Sequence, residues 1–253
     1  MIPVVLASQS PARRQILRAS GIDPIIVVSH VDEEAIEASF SGDVCELTTA
    51  LSEAKARAVI DRILNEPPAQ LLGALADSAA VPAPAVASAA VAGISPRGGT
   101  VVLVAGDSLL ELDGRPIGKP GTAERTREVW RDMAGRTTVL HTGHTVAVLE
   151  VSFPQSGRPQ FEVRDIRSAR SSTSVLIGRP TPAELEAYIA TEEPFHVAGA
   201  LTIDGYGGAF VDRLDGDHLT VLGLSLPVVR GLVSDVGLFW PDLWSARRHA
   251  RTD

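Results

Sequence analysis

The sequence predicts an α/β fold, in which helices pack against the strands of a sheet. Three stretches support this prediction. Residues 4–7 form a short apolar run that leads through a turn into a helix beginning at Pro11. Within residues 46–64 apolar side chains recur at helical spacing, and residues 101–105 form an unbroken apolar run rich in β-branched side chains, typical of a strand buried on both faces. With 253 residues, 45% of them hydrophobic, the chain can bury a sizeable core.

Composition argues against several classes of protein. The formal net charge of −8 argues against an extended nucleic-acid-binding surface, but it permits a local basic pocket for a phosphorylated small molecule. The single cysteine, Cys45, cannot form an internal disulfide or a thiolate metal cluster, and we interpret it as a small buried apolar residue. No stretch approaches the ~20 apolar residues of a membrane span. We therefore expect a cytoplasmic protein whose partner is neither a nucleic-acid polymer nor a membrane.

The first strand, turn and helix form a candidate anion site. Ser10 suits the N-cap and Pro11 the first helical position, because the missing proline N–H would have no intrahelical partner there; we expect this helix to end at Gly21. Ser8, Ser10 and Arg13 add donors and positive charge to the free N–H groups at the helix start. Taken alone, such a segment is more often a plain connection between a strand and a helix than a ligand site. The hypothesis that it binds a phosphate therefore depends on complementary groups elsewhere in the chain.

Two further segments supply charged side chains. Residues 22–28 are predicted to form a second strand, and Glu33 follows shortly after its end. Lys55 lies at the margin of the buried stripe of the helix predicted within residues 46–64. It points either into a cleft or along the surface, and the surface position is the commoner one for an isolated lysine.

Asp107 is an acidic residue at the expected end of a buried strand. We expect the strand of residues 101–105 to end at Gly106-Asp107-Ser108, which places Asp107 at a carboxyl end, where α/β folds commonly bind ligands. Asp113-Gly114 is a two-residue hairpin signal, and the returning strand leads to Lys119. The sequence therefore predicts that Asp107 and Lys119 are neighbours.

The remaining segments are assigned more coarsely. Residues 67–99 are rich in alanine and proline and lack a sustained period, so we interpret them as an insertion or flexible loop, in which residues 85–92 are weakly helical at most. We expect residues 237–253 to form a frayed or surface-docked tail. Other predicted elements are strands at residues 137–140, 145–151, 161–163 and 172–177, and helices at residues 122–135, 181–191 and 227–236.

Residues 197–208 contain several glycines, which permit close approach of the backbone to a ligand. Their spacing does not match the dinucleotide-binding fingerprint, and the sequence contains no Walker A lysine loop. These patterns argue against Rossmann and P-loop nucleotide sites. The segment alone is a weak signal.

The candidate residues together suit a metal-loaded triphosphate. Arg13, Lys55 and Lys119 can neutralise phosphate oxygens. Glu33 and Asp107 can hold a divalent cation, and either carboxylate can orient or deprotonate a water molecule.

Short motifs occur in a characteristic order along the chain. They are Leu6-Ala7-Ser8-x-Ser10-Pro11-x-Arg13, Asp32-Glu33, Leu51-x-x-x-Lys55-Ala56, Gly106-Asp107-Ser108, Asp113-Gly114-x-x-x-Gly118-Lys119-Pro120, Ala198-Gly199-Ala200 and Val221-x-Gly223-Leu224-x-Leu226-Pro227. As a set they resemble the Maf family of nucleotide pyrophosphatases. The resemblance extends over residues 3–233 apart from residues 67–99.

The resemblance implies hydrolysis of a ribo- or deoxynucleoside triphosphate, with modified and pyrimidine bases among the candidates, to a monophosphate and pyrophosphate with Mg²⁺ or Mn²⁺. It implies a mixed, elongated, twisted sheet flanked by helices. These elements would form one domain (residues 1–253) with two lobes around a central nucleotide cleft. It also implies a protein that often forms a homodimer. By position it implies Asp107 as proton acceptor, Glu33 and Asp107 as metal ligands, and Ser8, Ser10, Arg13, Lys55, Lys119 and Asp204 as substrate contacts.

Three departures from the family pattern affect the substrate. Family members usually carry two arginines directly after Ser-Pro, whereas this chain has Ala12 and then Arg13. Asp204 stands where many members have glutamine, and His218-Leu219-Thr220 replaces a more polar pattern. The preferred base therefore does not follow from the resemblance.

Two other functions fit the same residues. A nucleotide-binding regulator of cell division would keep the cations without turnover, although the presence of both Asp107 and Glu33 favours an enzyme. A nucleotidyl or phosphate transferase would pass its group to an alcohol instead of water.

Overall fold

The computed structural model describes residues 1–79, 98–154 and 158–245. Seven strands form one mixed sheet in the order β2-β1-β3-β5-β6-β7, with β4 paired to β3. In chain order the elements are β1 (Val4–Leu6), α1 (Pro11–Ala19), β2 (Ile25–Ile26), α2 (Glu33–Ser39), α3 (Val44–Asn65), α4 (Ala69–Ala79), β3 (Gly98–Leu112), β4 (Arg115–Ile117), α5 (Ala123–Met133), β5 (Thr137–Ser152), β6 (Gln160–Ile177), α6 (Pro182–Ile189), β7 (Val211–Asp215), α7 (His218–Leu222) and α8 (Leu226–Asp235). Short 3₁₀ helices lie at Glu193–His196, Ala198–Ala200, Tyr206–Phe210 and Trp240–Leu243. The predicted mixed α/β class is confirmed.

Three long antiparallel strands, β3, β5 and β6, form the spine of the sheet. The prediction that β3 stops at Gly106-Asp107-Ser108 is wrong, because these residues pair in register with His144, Gly143 and Thr142 of β5 and the strand continues to Leu112. Asp107 therefore lies in the interior of a strand. In the same way, the two strands predicted within each of β5 and β6 are continuous, since the intervening residues also pair in the ladder.

Among the described strands, a gap in the pairing leaves one edge of β3 without a partner strand beside Asp107. On that side β1 pairs as far as Leu6 with Val104, and β4 begins pairing where Ile117 meets Leu110. Among the described strands none pairs with β3 on that side between these two points, a distance of about 20 Å for six residues of strand. Asp107 is midway along the gap, between the end of β1 and the start of β4.

Helices cover both faces of the sheet. Along β3, Val102 and Val104 pack with α1 and α8, whereas Val101 and Leu103 pack with α3 and α4 on the opposite face. This confirms the prediction of a strand buried on both faces. A further core joins α5 and α6 to the strands beyond the gap. None of the described helices is both long and apolar enough to cross a membrane.

The interpretation of residues 67–99 as a loop is wrong for the described residues at both ends. Residues 69–79 form helix α4, because Leu71 and Leu75 are one turn apart and both are buried in the core beneath α3. Strand β3 begins at Gly98, so residues 98 and 99 belong to a strand and not to the loop. The weak helix considered for residues 85–92 lies outside the described residues.

The carboxy-terminal segment is docked as far as residue 245. Leu243 is buried in the core next to α1 and α8. Backbone hydrogen bonds join the Ile2 N–H to the Asp242 carbonyl and the Ser245 N–H to the Gly21 carbonyl, each at 2.8 Å. Of the two expectations for the tail, docking holds for this part, and residues 246–253 lie outside the described residues.

Candidate active site

The turn between β1 and α1 forms one wall of the gap. Ser10 caps α1 as predicted, since its side-chain oxygen accepts the Arg13 backbone N–H at 3.4 Å. Ser8 Oγ accepts the Ser10 backbone N–H at 3.2 Å. Pro11 occupies the first turn, so the helix starts at the predicted residue. The local signals of the sequence are sufficient here because cap and proline act within one turn of helix.

The Arg13 side chain is fixed by three hydrogen bonds to uncharged acceptors. Its Nε donates to the Gly223 carbonyl at 2.7 Å, Nη1 to Ser8 Oγ at 3.1 Å and Nη2 to Ser108 Oγ at 3.0 Å. A guanidinium has five N–H donors, so two remain for a ligand. Burial lowers the pKa of Arg13 from its ordinary value, and the charges of Asp107 and Glu33 partly oppose that shift. Arg13 thus provides a preorganised cation for an anionic ligand.

Lys55 joins the two candidate carboxylates. Its Nζ donates to Asp107 Oδ1 in a short hydrogen bond and lies 2.9 Å from Glu33 Oε1. The Lys55 and Asp107 side chains are each only 8% exposed, whereas Glu33 is 43% exposed. Helix α3 directs Lys55 inward, so the surface alternative considered for this lysine is wrong. The cluster therefore has a buried end at Asp107 and an open end at Glu33.

Gly143 explains how α3 comes so close to Asp107. It pairs directly with Asp107 across the ladder. A Cβ atom at Gly143 would lie 2.2 Å from the Thr48 carbonyl oxygen, which belongs to α3. The missing side chain lets the helix backbone rest on the sheet, and the same helix carries Lys55. Sequence analysis did not identify Gly143, because its effect depends on a contact between distant segments.

Lys119 is exposed on the far side of the gap, just after β4. The hairpin that leads to it is as predicted, with positive φ at both Asp113 and Gly114. Lys119 forms no ion pair with a carboxylate in the described parts of the chain, so the structure does not show the expected contact with Asp107. It instead lines a groove of about 630 Å³ between β4 and α5, together with Arg115 and Arg125.

Contacts within the protein hold the glycine-rich segment, residues 197–208, in its conformation. The Glu193 carboxylate accepts the Tyr206 N–H at 3.0 Å and the Gly207 N–H at 3.2 Å. A Cβ atom at Gly199 would lie 2.2 Å from Leu110 Cδ2, so this glycine permits close packing onto β3. Asp204 is exposed in this segment and has no hydrogen bond or ion pair within residues 1–79, 98–154 and 158–245. The structure does not bring Asp204 into contact with Arg13, Lys55 or Asp107.

A layer of buried polar residues behind Arg13 was missed by sequence analysis. Thr142 and His144 lie two positions apart on β5, so their side chains point to the same face of the sheet. Both are fully buried. His144 Nε2 accepts the Ser225 backbone N–H at 2.8 Å. Burial and the nearby charge of Arg13 lower the pKa of His144 to about 4. The imidazole is therefore neutral at pH 7. The period-2 spacing of polar residues was the available signal.

The candidate metal ligands in this site are the carboxylate oxygens of Glu33 and Asp107. Within the described residues, no group of three or more histidine, cysteine, aspartate or glutamate side chains is placed to hold a metal ion. Glu33 and Asp107 nevertheless converge on the same Lys55 ammonium, so their oxygens lie on one side of the gap. Mg²⁺ in proteins commonly takes one or two carboxylates and completes its shell with water and substrate phosphates. This pair fits a cation that arrives with a polyphosphate.

The chain is similar to known proteins over most of its length. Residues 3–236 match the family model described as Maf-like protein. A protein of Nocardia farcinica named nucleoside triphosphate pyrophosphatase is 41% identical over 241 residues, covering 95% of this chain and 96% of that protein. A protein of the same name from Saccharopolyspora erythraea is 42% identical over 242 residues, covering 95% and 96%. One from Streptomyces coelicolor is 40% identical, covering 96% and 94%. On its match over most of its length and its similarity to these relatives, the chain belongs to the Maf-like protein family.

Proposed function

We propose that this protein hydrolyses a nucleoside triphosphate to the nucleoside monophosphate and pyrophosphate. The observation that carries the proposal is the pairing, in one gap of the sheet, of a half-buried Arg13 that has only uncharged acceptors with a Lys55 that holds two carboxylates. Arg13 is suited to bind a phosphate. The two carboxylates held by Lys55 are suited to accept a proton and to bind a metal ion. Relatives about 40% identical carry the name of this activity.

The phosphate chain binds along the gap. Arg13 offers its two remaining N–H groups, and the start of α1 adds its positive dipole end. Lys119, which is exposed and beyond the gap, approaches from the opposite side when a polyanion is present. Asp204 contacts the nucleoside in this proposal, so the glycine-rich segment held by Glu193 contributes to base preference.

Asp107 accepts a proton from the attacking water. As the water oxygen bonds to the α-phosphorus, the bond from that phosphorus to the bridging oxygen breaks and pyrophosphate leaves. The water proton passes to an Asp107 carboxylate oxygen. The Lys55 ammonium orients that carboxylate through a direct hydrogen bond, and the surrounding burial limits access by bulk water.

Glu33 and Asp107 are the residues that would hold a divalent cation such as Mg²⁺ or Mn²⁺. When bound, that cation would neutralise phosphate charge and stabilise the charge that develops on the oxygens in the transition state. Lys55 already contacts both carboxylates, so it keeps the two acids within reach of each other in the free protein.

The experiment is to incubate the purified protein with a panel of ribo- and deoxynucleoside triphosphates and Mg²⁺ or Mn²⁺, and to quantify all products. We expect equimolar monophosphate and pyrophosphate from at least one nucleotide, and no turnover with excess chelator. Orthophosphate with a nucleoside diphosphate would contradict the proposal. Binding without turnover would support a regulator, and a nucleotidyl adduct formed on an added alcohol would support a transferase.

A further inference from the structure

A chain of hydrogen bonds runs from Arg13 into the interior of the protein. Arg13 Nη2 contacts Ser108 Oγ at 3.0 Å, Ser108 Oγ contacts Thr142 Oγ1 at 2.9 Å, and Thr142 Oγ1 contacts the Thr220 carbonyl at 2.8 Å. The contacts join α1, β3, β5 and α7. One continuous path therefore links the candidate phosphate-binding cation to a buried carbonyl.

The direction of every bond in this chain follows from its two ends. A carbonyl oxygen can only accept, so Thr142 uses its single hydroxyl hydrogen on Thr220. A guanidinium can only donate, so Ser108 accepts from Arg13. The bond between the two hydroxyl groups must then run from Ser108 to Thr142. Each hydroxyl donates its only hydrogen, and no alternative orientation satisfies all three contacts.

Thr142 also acts on Arg13 by a second route. Thr220 belongs to α7, and Gly223, which caps the end of α7, accepts the Arg13 Nε hydrogen. By holding Thr220, Thr142 fixes the helix whose terminal carbonyl holds Arg13. Thr142 thus contributes to the placement of two of the three acceptors of Arg13, while Ser171 and Thr173 also hold α7 through hydrogen bonds to Thr220 Oγ1 and the Asp217 carbonyl. Thr142 is fully buried, so it acts only through these neighbours.

We propose that Thr142 is a positioning residue that fixes the Arg13 guanidinium in the orientation needed for the phosphate chain. This inference rests on the proposed function, because it treats Arg13 as a substrate contact. It assigns to Thr142 a role in nucleotide affinity that a buried threonine on a central strand would not otherwise have. Ordering Arg13 before binding lowers the entropic cost of binding.

The test compares T142V with T142S and T138V. Valine keeps the shape of threonine and removes the hydroxyl, whereas serine keeps the hydroxyl. Thr138 is the matched control: it lies on the same strand and face, is buried, and its hydroxyl contacts the Val175 carbonyl at 3.3 Å, away from Arg13. Each variant is measured for KM, kcat, affinity for a non-hydrolysable α,β-methylene nucleotide, and Tm.

We expect T142V to weaken analogue binding and raise KM by about 5- to 10-fold, the usual effect of losing a hydrogen bond between uncharged groups, with a smaller change in kcat. The KM values of T142S and T138V should stay within about threefold of that of the wild type. This should hold even if T142V and T138V show similar decreases in Tm. Equal KM values for T142V and T138V, with an active wild type, would overturn the positioning role. An inactive wild type would instead overturn the proposed function. If T142V does not fold, T142A and T138A give the same comparison.

Discussion

Substituting Gly143 by alanine should displace α3 and Lys55 with it. The new Cβ atom would lie 2.2 Å from the Thr48 carbonyl oxygen, whereas an ordinary contact begins at 3.4 Å. The nearest atoms belong to backbone, so no side-chain rotation can relieve the clash, and α3 must retreat by about 1 Å. Overpacking of this kind costs about 1–3 kcal/mol. In a chain of this size, that corresponds to a Tm lower by about 2–12 °C.

The larger effect should be on catalysis. A displacement of about 1 Å in a catalytic group can cost about 10²-fold in rate, and Lys55 lies two turns along α3 from Thr48. We expect kcat/KM of Gly143→Ala to fall by about 10²-fold while the protein remains folded. Gly231→Ala is the control, since Gly231 lies within α8 and a Cβ there meets nothing within 4 Å.

The measurements are calorimetric Tm and pyrophosphate release at a series of nucleotide concentrations. Gly231→Ala should match the wild type in rate and be equally or slightly more stable, because alanine favours helix. If Gly143→Ala also matched the wild type in both Tm and kcat/KM, α3 would not rest on Gly143, and the explanation for the position of Lys55 would fail.

Three other changes test separate parts of the structure. Asp107→Asn should lower kcat by about 10²- to 10⁴-fold and leave nucleotide affinity nearly unchanged, because Arg13 is untouched; a kcat within threefold of the wild type would exclude Asp107 as the proton acceptor. The pKa of His144 is about 4 in the folded protein and near 6.5 when unfolded, so the unfolded chain binds more protons in this window and the free energy of unfolding should fall by about 3 kcal/mol as pH drops from 6.5 to 4. Denaturant titrations should show this loss in the wild type and a smaller one in His144→Gln; equal losses would refute the assignment. Leu71→Ala should lower stability by about 2–5 kcal/mol and Leu64→Ala, at an exposed site, by much less; equal Tm shifts would show that α4 does not pack on the core.

The parts of the fold that depend on neighbouring residues were predictable from the sequence. The Ser10 cap, the Asp113-Gly114 hairpin and helix α5 are all where the sequence places them. Helix α6 also begins within the predicted range 181–191, and a capping box at Thr181 starts it. In each case the determining contacts lie within a few residues of one another, so local propensity and periodicity are sufficient.

The parts that depend on distant pairing were not predictable. Gly106-Asp107-Ser108 has the composition of a turn, yet pairing with β5 keeps it in a strand. Helix α4 lies in an alanine-rich stretch whose small apolar side chains show no clear period, and it is stabilised by the two leucines that it buries. The inward orientation of Lys55 depends on Gly143, which is 88 positions away in the chain. Tertiary contacts decide all three features.

The position of water attack can be measured directly by hydrolysis in ¹⁸O-labelled water. In the proposed reaction the Asp107-activated water bonds to the α-phosphorus, so the label must appear in the nucleoside monophosphate and not in pyrophosphate. Mass spectrometry of both products under single-turnover conditions distinguishes these outcomes. Label in the monophosphate alone is the predicted result. Label in pyrophosphate would place the attack at the β-phosphorus and contradict the assignment of Asp107 and Arg13 to their roles.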